Sequence, residues 1–369
     1  MAAQQTLTQA AQERGFVTAW AGLDLPEEAR KRNRDWIEQG HQAEMGYLNQ
    51  NLETRLNPKS RFGWARSVLV LAAPHSYPRP EKPGDGLRVG KVARYAWVRD
   101  YHLLIQPHLR ALEELAKELG LGAKGYVDTG PLSERAYGAL GSLGWVGRNA
   151  MLMRMGEGTY LTLAMLLTTL SPAPHPDGQG LYPNRCGSCT RCVAACPTGA
   201  LLGDGSLDSR RCIAYWTIEH RGLIPTDLWP FFDEWLFGCD ICQEVCPWNR
   251  KAQEFWQGFQ PEADLAYPNL LDFFTLSSKA FERKYAQTVF LRPGRTRLAR
   301  NALIVLANTG DPAHLPLIRQ AAQDINPVVR ASAAGALHRY GDLDGVVQLG
   351  NDPDEGVSRE AQRLLTLDL

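Results

Sequence analysis

CGSCTRCVAACP, running from Cys186 to Pro197, is the stretch that decides how this 369-residue chain is read. Its C-x2-C-x2-C-x3-C-P spacing is that of two-cluster ferredoxins, in which three thiolates hold one iron–sulfur cluster and the fourth crosses to the other. An altered second copy follows. Cys239, Cys242, Cys246 and Pro247 keep C-x2-C-x3-C-P, while the remaining cysteine is displaced upstream to Cys212 by an insertion. Crossing the fourth ligands predicts one 4Fe–4S cluster on Cys186, Cys189, Cys192 and Cys246, and a second on Cys196, Cys212, Cys239 and Cys242. These eight are all the cysteines of the chain. Zinc sites and disulfide frameworks also use paired cysteines. Neither calls for the x2-x2-x3 run closed by proline, and disulfide frameworks belong to small secreted chains.

Apolar residues make up 44% of the chain, enough for two or three domains with their own cores. The opening MAAQQTLTQAAQERG lacks a basic n-region and an apolar h-region, and the longest apolar stretch, Tyr160 to Leu170, is too short to span a bilayer. With thiols committed to metal, a cytoplasmic protein without membrane association is expected. Forty basic residues balance forty acidic ones, so a polyanion has to meet a local patch rather than a global field. From Lys279 to Arg300 such a patch is present, with Lys279, Arg283, Lys284, Arg292, Arg295, Arg297 and Arg300 against Glu282 alone. Phosphate contacts suit it, and so does a solvated helix face. Arg55, Lys59, Arg61 and Arg66 form a smaller basic set.

The chain reads as an α+β multidomain protein in three segments. Residues 1–170 mix helix and strand signals as an α/β domain: a buried strand at Ser67 to Ala73, helical periodicity from Leu103 to Leu119, a strand at Ala123 to Val127, a helix after Thr129-Gly130-Pro131 and an interior strand at Tyr160 to Leu170. Residues 171–275 begin with a Pro/Gly-rich linker, Ser171 to Gly180, and carry the ferredoxin-like double-cluster motifs. Residues 276–369 turn to Ala, Leu and Arg with a period of about thirty that puts Arg300, Arg330 and Arg359 in register, a short HEAT-like helical solenoid with breaks at Asp311-Pro312 and Asn326-Pro327.

Two clusters need only a short chain, so the N-terminal segment must hold a substrate or cofactor. The C-x3-C-x2-C of radical SAM enzymes is missing, as are G-x-G-x-x-G after a strand and G-x4-G-K-S/T. What stands out is VDTGPLSERAYGALGSLGWVGRN, Val127 to Asn149, which sets Asp128 at a strand end before a tight turn. A carboxylate placed there lines a pocket or caps the following helix or turn, and local chemistry leaves both open.

Taken with RCGSCTRCVAACPTGAL, RRCIAYWTIEHRG and FGCDICQEVCPWN, this segment resembles epoxyqueuosine reductase, the cobalamin-dependent family that completes queuosine in tRNA. The resemblance implies a cobalamin-binding N-terminal domain, a double 4Fe–4S domain and a HEAT-like domain that helps hold tRNA. Corrinoid reductive dehalogenases are relatives. The sequence lacks D-x-H-x-x-G, since Ile105 stands where the glycine belongs after Asp100 and His102. Base-off cobalamin without a histidine ligand is implied, and His102 is read as structural.

By the same resemblance, an external low-potential donor such as a flavodoxin or ferredoxin reduces the clusters, and these reduce cobalamin to its nucleophilic Co(I) state. Opening the epoxide consumes protons, which makes Asp128 the candidate acid, held protonated by burial against the corrin. Arg55, Tyr95, Asp128 and Asn149 are the candidate cofactor shell. Glu219, His220 and Arg221, after Cys212, are candidates for the anticodon loop, with Tyr215 and Trp216 as stacking partners, and Arg292, Arg295, Arg297 and Arg300 for the tRNA backbone. A monomer is expected. The competing readings are a corrinoid reductase of a small molecule, dehalogenase-like, and an electron-transfer scaffold that binds no cobalamin.

Overall fold

A computed structural model describes residues 2–84, 88–171, 182–252 and 255–367. The chain forms two compact units. One comprises Met1–Pro78, Val98–Arg210 and Asp240–Pro261, the other Arg79–Trp97, Arg211–Cys239 and Glu262–Leu369. The 171–275 segment contributes to both. Beyond Ser171, the linker expected at Ser171 to Gly180 lies outside the described residues.

The first unit is built on a four-stranded sheet in the order Val17–Gly22, Ser67–Pro74, Leu161–Thr168, Ala123–Val127, with every neighbouring pair antiparallel. Ser67–Pro74 is buried at every position, as its unbroken apolar run dictates for a strand covered on both faces. One end of its pairing with Leu161–Thr168 is closed by a buried hydroxyl pair, Ser67 Oγ to Thr168 Oγ1 at 2.9 Å. Leu132, Tyr137, Leu143 and Leu152 pack with Val68, Val70, Met165 and Leu167 in one core cluster.

The helix Tyr101–Glu118 buries Ile105, Leu109, Leu112 and Ala116, the i, i+4, i+7, i+11 stripe of an amphipathic helix, and lies on the strand Ala123–Val127. Gly125 permits the approach: a Cβ there would sit 2.8 Å from Leu109 Cβ. The Gly120-Leu121-Gly122 reversal sends the strand back toward the start of the helix, so Asp128 at the strand's end meets Tyr101 and His102 at the helix's beginning.

In the second unit the helices Gly294–Thr309, Pro327–Arg339 and Glu355–Leu365 pack in succession, with Leu315–Ala321 and Leu343–Leu349 between them. These are the helix pairs that the repeat implied. The expected breaks are helix starts: Asp311 and Asn326 accept from the N–H of Ala313 and Val328, each with proline at the first helical position. Gly294–Thr309 is buried from Leu298 to Ala307, so it is the core helix of this unit rather than a surface one. Among the described residues no helix is long and apolar enough to cross a membrane.

Candidate active site

Asp128 follows the strand Ala123–Val127 with φ 56°, a left-handed backbone that a non-glycine residue keeps, at about 1–3 kcal/mol, only where its neighbours impose it. Here they do. The Asp128 N–H donates to Glu134 Oε1 at 3.0 Å, and its carboxylate accepts from Tyr101 Oη at 2.9 Å and faces His102 Nε2 at 3.5 Å. Half of the side chain (50%) is solvent-accessible.

His102 is held from its other side as well. Asp100 Oδ1 lies 2.7 Å from Nδ1 and also accepts the His102 N–H at 2.9 Å, which caps the helix Tyr101–Glu118. Burial alone would depress the imidazole, but Asp100 and Asp128 outweigh it and lift its pKa from 6.5 to about 9. His102 is therefore a cation at neutral pH and a member of the Asp128 cluster. Tyr101 stacks on it with ring centroids 4.2 Å apart.

Glu134 begins the helix Glu134–Leu140, surrounded by protein while keeping some solvent contact. Burial first, and then the charge of Asp128, push its carboxyl up to about 8, against the Asp128 N–H and the charges of Arg135 and Arg55. Arg135 bonds Ala150 O. Arg55, half-buried, donates from Nη1 to Leu132 O at 3.1 Å and feels the charges of Glu134 and Asp128, although its own pKa is lowered chiefly by burial. Of the candidate cofactor shell, Arg55 and Asp128 are thus brought together. Tyr95 belongs to the second unit, where it packs on Phe237 at 6.1 Å.

Asn149 ends the turn after Trp145–Val146, which pairs with Leu152–Met153. The hairpin is tight: a Cβ on Gly144 would lie 1.8 Å from Met153 O. Asn149 is 1% exposed, and its Oδ1 accepts from Met151 N–H at 3.3 Å. Its Nδ2 is buried without a hydrogen-bond partner, as are Trp145 Nε1 and Arg55 Nε. Buried donors left unpaired cost about 1–3 kcal/mol each, and a bound acceptor-rich group is one way to satisfy them.

The other face of the hairpin carries the first cysteine set. Trp145 and Met153 pack with Cys246, Cys186, Tyr182 and Trp248. Cys192 sits on the helix Arg191–Ala195, which packs against Ile241–Glu244 just before Cys246. Burial, and after it the neighbouring thiols, raise the pKa of Cys192 and Cys246; Cys186 acts on both, Cys189 on Cys192, and Cys192 on Cys246. All four thiols of the first predicted set therefore converge in this unit. Of the second set, Cys196 and Cys242 lie in this unit and Cys212 and Cys239 in the other. Cys196 Sγ accepts the Ala200 N–H at 3.3 Å.

Three family models match in the same order as these segments: "Epoxyqueuosine reductase QueG, DUF1730" over residues 55–129, "4Fe-4S double cluster binding domain" over 185–249 and "HEAT repeats" over 290–366. The epoxyqueuosine reductase of Bacillus anthracis is 34% identical over 336 residues, covering 87% of this chain and 86% of that protein. The chain belongs to the epoxyqueuosine reductase family. Among solved structures of epoxyqueuosine reductases, one with a tRNA-Tyr epoxyqueuosine-modified stem loop matches with TM-score 0.90 and 28% identity, over 99% of this chain and 98% of that one. Another, from Bacillus subtilis with its aspartate catalytic loop swung out of the active site, matches with TM-score 0.89 and 27% identity over the same shares.

Within this epoxyqueuosine reductase family member, the basic stretch of the second unit is open only in part: Lys279, Arg283, Lys284 and Arg292 are exposed, whereas Arg295, Arg297 and Arg300 turn to the protein. Arg300 is fully buried, and its guanidinium donates to Trp216 O at 2.7 Å, His220 O at 2.9 Å, Gly222 O at 2.6 Å and Asn301 Oδ1. Arg297 bonds the carbonyls of Pro293, Ile218, Glu219 and Arg292. Arg295, with 9% of its side chain exposed, makes a two-pronged pair with Asp324 and bonds Phe273 O. These three are corrected from polyanion contacts to structural residues. The reason lies in the short helix Ile213–Ile218, whose C-terminal carbonyls lack intrahelical partners and whose negative pole attracts cations; Arg297 and Arg300 supply both needs. Arg292 remains exposed, paired with Glu219 at 2.7 Å, and Arg221 is exposed. His220 Nε2 bonds Leu223 O at 2.9 Å and its ring meets Trp216 edge-on at 4.6 Å.

Proposed function

We propose that the protein reduces epoxyqueuosine to queuosine in the anticodon loop of tRNA, with Asp128 as the acid. The observation that carries this reading is the convergence of Asp128, Tyr101, His102, Glu134 and Arg55 in a member of this family. Two 4Fe–4S clusters on the cysteine sets given above, an external low-potential donor, cytoplasmic residence and a monomeric enzyme complete the reading.

Cobalamin suits the site: the unpaired donors of Asn149 and Arg55 match a group rich in amide and phosphate acceptors. Both nitrogens of His102 face carboxylates, which fits a base-off cofactor without a histidine ligand. When bound and reduced, cobalamin supplies the low-valent metal nucleophile that this reduction needs.

The chain's own residues manage protons and position. Tyr101 Oη and the cationic His102 hold the Asp128 carboxyl from one side, and the neutral Glu134 anchors its backbone from the other. Asp128 is aimed at the departing epoxide oxygen, and His102, a cation up to about pH 9, stands in ion-pair range to hand the carboxylate the proton that it passes on. Of the tRNA candidates, Glu219, His220 and Arg221 retain the role of contacting the anticodon loop and Arg292 that of contacting the tRNA backbone.

Asp128→Asn in the fully loaded enzyme tests the assignment. Turnover of epoxyqueuosine tRNA should fall about 10²–10⁴-fold, the usual contribution of a general acid, with iron and cobalamin content unchanged. Turnover close to wild type would remove Asp128 from the mechanism.

A further inference from the structure

Some exposed cations of the first unit are neutralised, Lys31 by Asp35, Lys59 by Asp24 and Arg210 by Asp208. The loops bearing the first cysteine set instead gather several unpaired ones in two short segments. Arg185 precedes Cys186, Arg191 precedes Cys192, and Arg250 and Lys251 follow Cys246 by four and five residues; all four are exposed, and among the described residues none makes an ion pair. Arg148 adds a fifth charge, reaching Gly187 O and Gly203 O rather than an acid. On 182–200 there is no acidic residue, and on 240–251 the exposed one is Glu244, since Asp240 is 2% exposed and bonded to Gln243. Cys186 and Cys189 are themselves partly exposed.

Resting on the two-cluster reading above, we propose that these loops form the docking face for an acidic, low-potential, one-electron carrier protein. Unpaired charge costs a fold nothing when exposed, but it attracts an opposite surface and raises encounter rates by about 10–10³-fold at low salt. Sited around half-open cluster ligands, it would bring a carrier's redox group close to the metal. Phosphates would also be drawn to it, yet the ring on this face that bases would stack on, Tyr182, is stacked on Trp145 at 5.8 Å and overlaid by Arg185 at 5.4 Å. Each encounter passes one electron, oxidising the carrier and reducing the cluster. Two encounters and two protons convert an epoxide to an alkene and water.

The test uses the full chain with its clusters reconstituted, in the variant Arg185→Glu/Arg191→Glu. Rates of cluster reduction are followed by stopped-flow with two reductants, a reduced flavodoxin and the methyl viologen radical cation, alongside flavodoxin affinity and tRNA affinity. With flavodoxin the rate should fall about tenfold or more at low salt, its salt dependence should flatten and affinity should weaken in parallel, while the small cation reduces at least as fast as before. Should the exchange of both arginines lower iron content, Arg250→Glu/Lys251→Glu provides the same comparison. A flavodoxin rate within twofold of wild type, or equal losses with both reductants at full iron content, would overturn the proposal. So would weaker tRNA binding with the flavodoxin rate intact, which would make the face an RNA contact. Loss of the clusters themselves from the wild-type chain would instead strike the two-cluster reading.

Discussion

Replacing Arg300 by methionine isolates the role that the fold gives it. The side chain is 0% exposed, and burial has pushed its guanidinium down from the ordinary arginine range to about 9, so the charge is held at a desolvation cost. Against that cost stand hydrogen bonds to the carbonyls of Trp216, His220 and Gly222. Each acceptor left without a partner costs about 1–3 kcal/mol, and because these carbonyls are only partly buried the lower figure applies. Methionine fills most of the volume and removes the desolvation cost, leaving a net destabilisation of about 2–3 kcal/mol. For a unit of this size that is a fall in Tm of roughly 5–10 °C. Anaerobic differential scanning calorimetry measures it, with tRNA affinity determined at a temperature where both proteins are folded. The reasoning fails if Arg300→Met melts within about 1 °C of wild type and instead weakens tRNA binding several-fold, for Arg300 would then be the surface contact that the sequence suggested.

Glu134→Gln keeps an acceptor for the Asp128 N–H and mimics the neutral carboxyl, so near-native turnover is expected, whereas Glu134→Ala should lower kcat by about tenfold by freeing the strained Asp128 backbone. Glu134 contributes stability fully present below its ordinary 4.5 and lost as pH rises through about 8; His102 contributes stability present below 6.5 and lost through about 9. Both act in one direction, so chemical denaturation should show stability declining between those limits, with a shallower decline in Glu134→Gln. Asp100→Asn should move the His102 pKa down from about 9, read by NMR of the ring protons; an unmoved value would mean that Asp128 alone sustains it. Gly125→Ala should destabilise by about 1–3 kcal/mol through overlap with Leu109 Cβ at 2.8 Å, measured by urea unfolding.

Much of the architecture was legible because it rests on local chemistry. The apolar run at Ser67, the punctuated strand at Ala123 to Val127 and the stripe from Leu103 onward coincide with observed elements within a few residues. The edge strand Val17–Gly22 went unread: its burial is partial at all positions but Ala21, so no clear period marks it. Cysteine spacing located the thiols because cluster ligation fixes the intervals between them. What sequence could not show was direction. An arginine run looks alike whether it faces solvent or the carbonyl end of a helix some 80 residues earlier, as Arg297 and Arg300 do. His102 was set aside for the missing glycine at Ile105; Asp100 two residues before it, with Asp128 at the end of the next strand, was the available signal.

The central claim, that this chain delivers electrons and an Asp128 proton to epoxyqueuosine, is tested most directly by one anaerobic experiment. Epoxyqueuosine-containing tRNA is incubated with the protein carrying eight irons, cobalamin and a low-potential reductant, and its nucleosides are analysed by mass spectrometry. Conversion to queuosine, with loss of one oxygen atom and dependence on added cobalamin, is the predicted result. Unchanged epoxyqueuosine despite bound cobalamin and reduced clusters would contradict it.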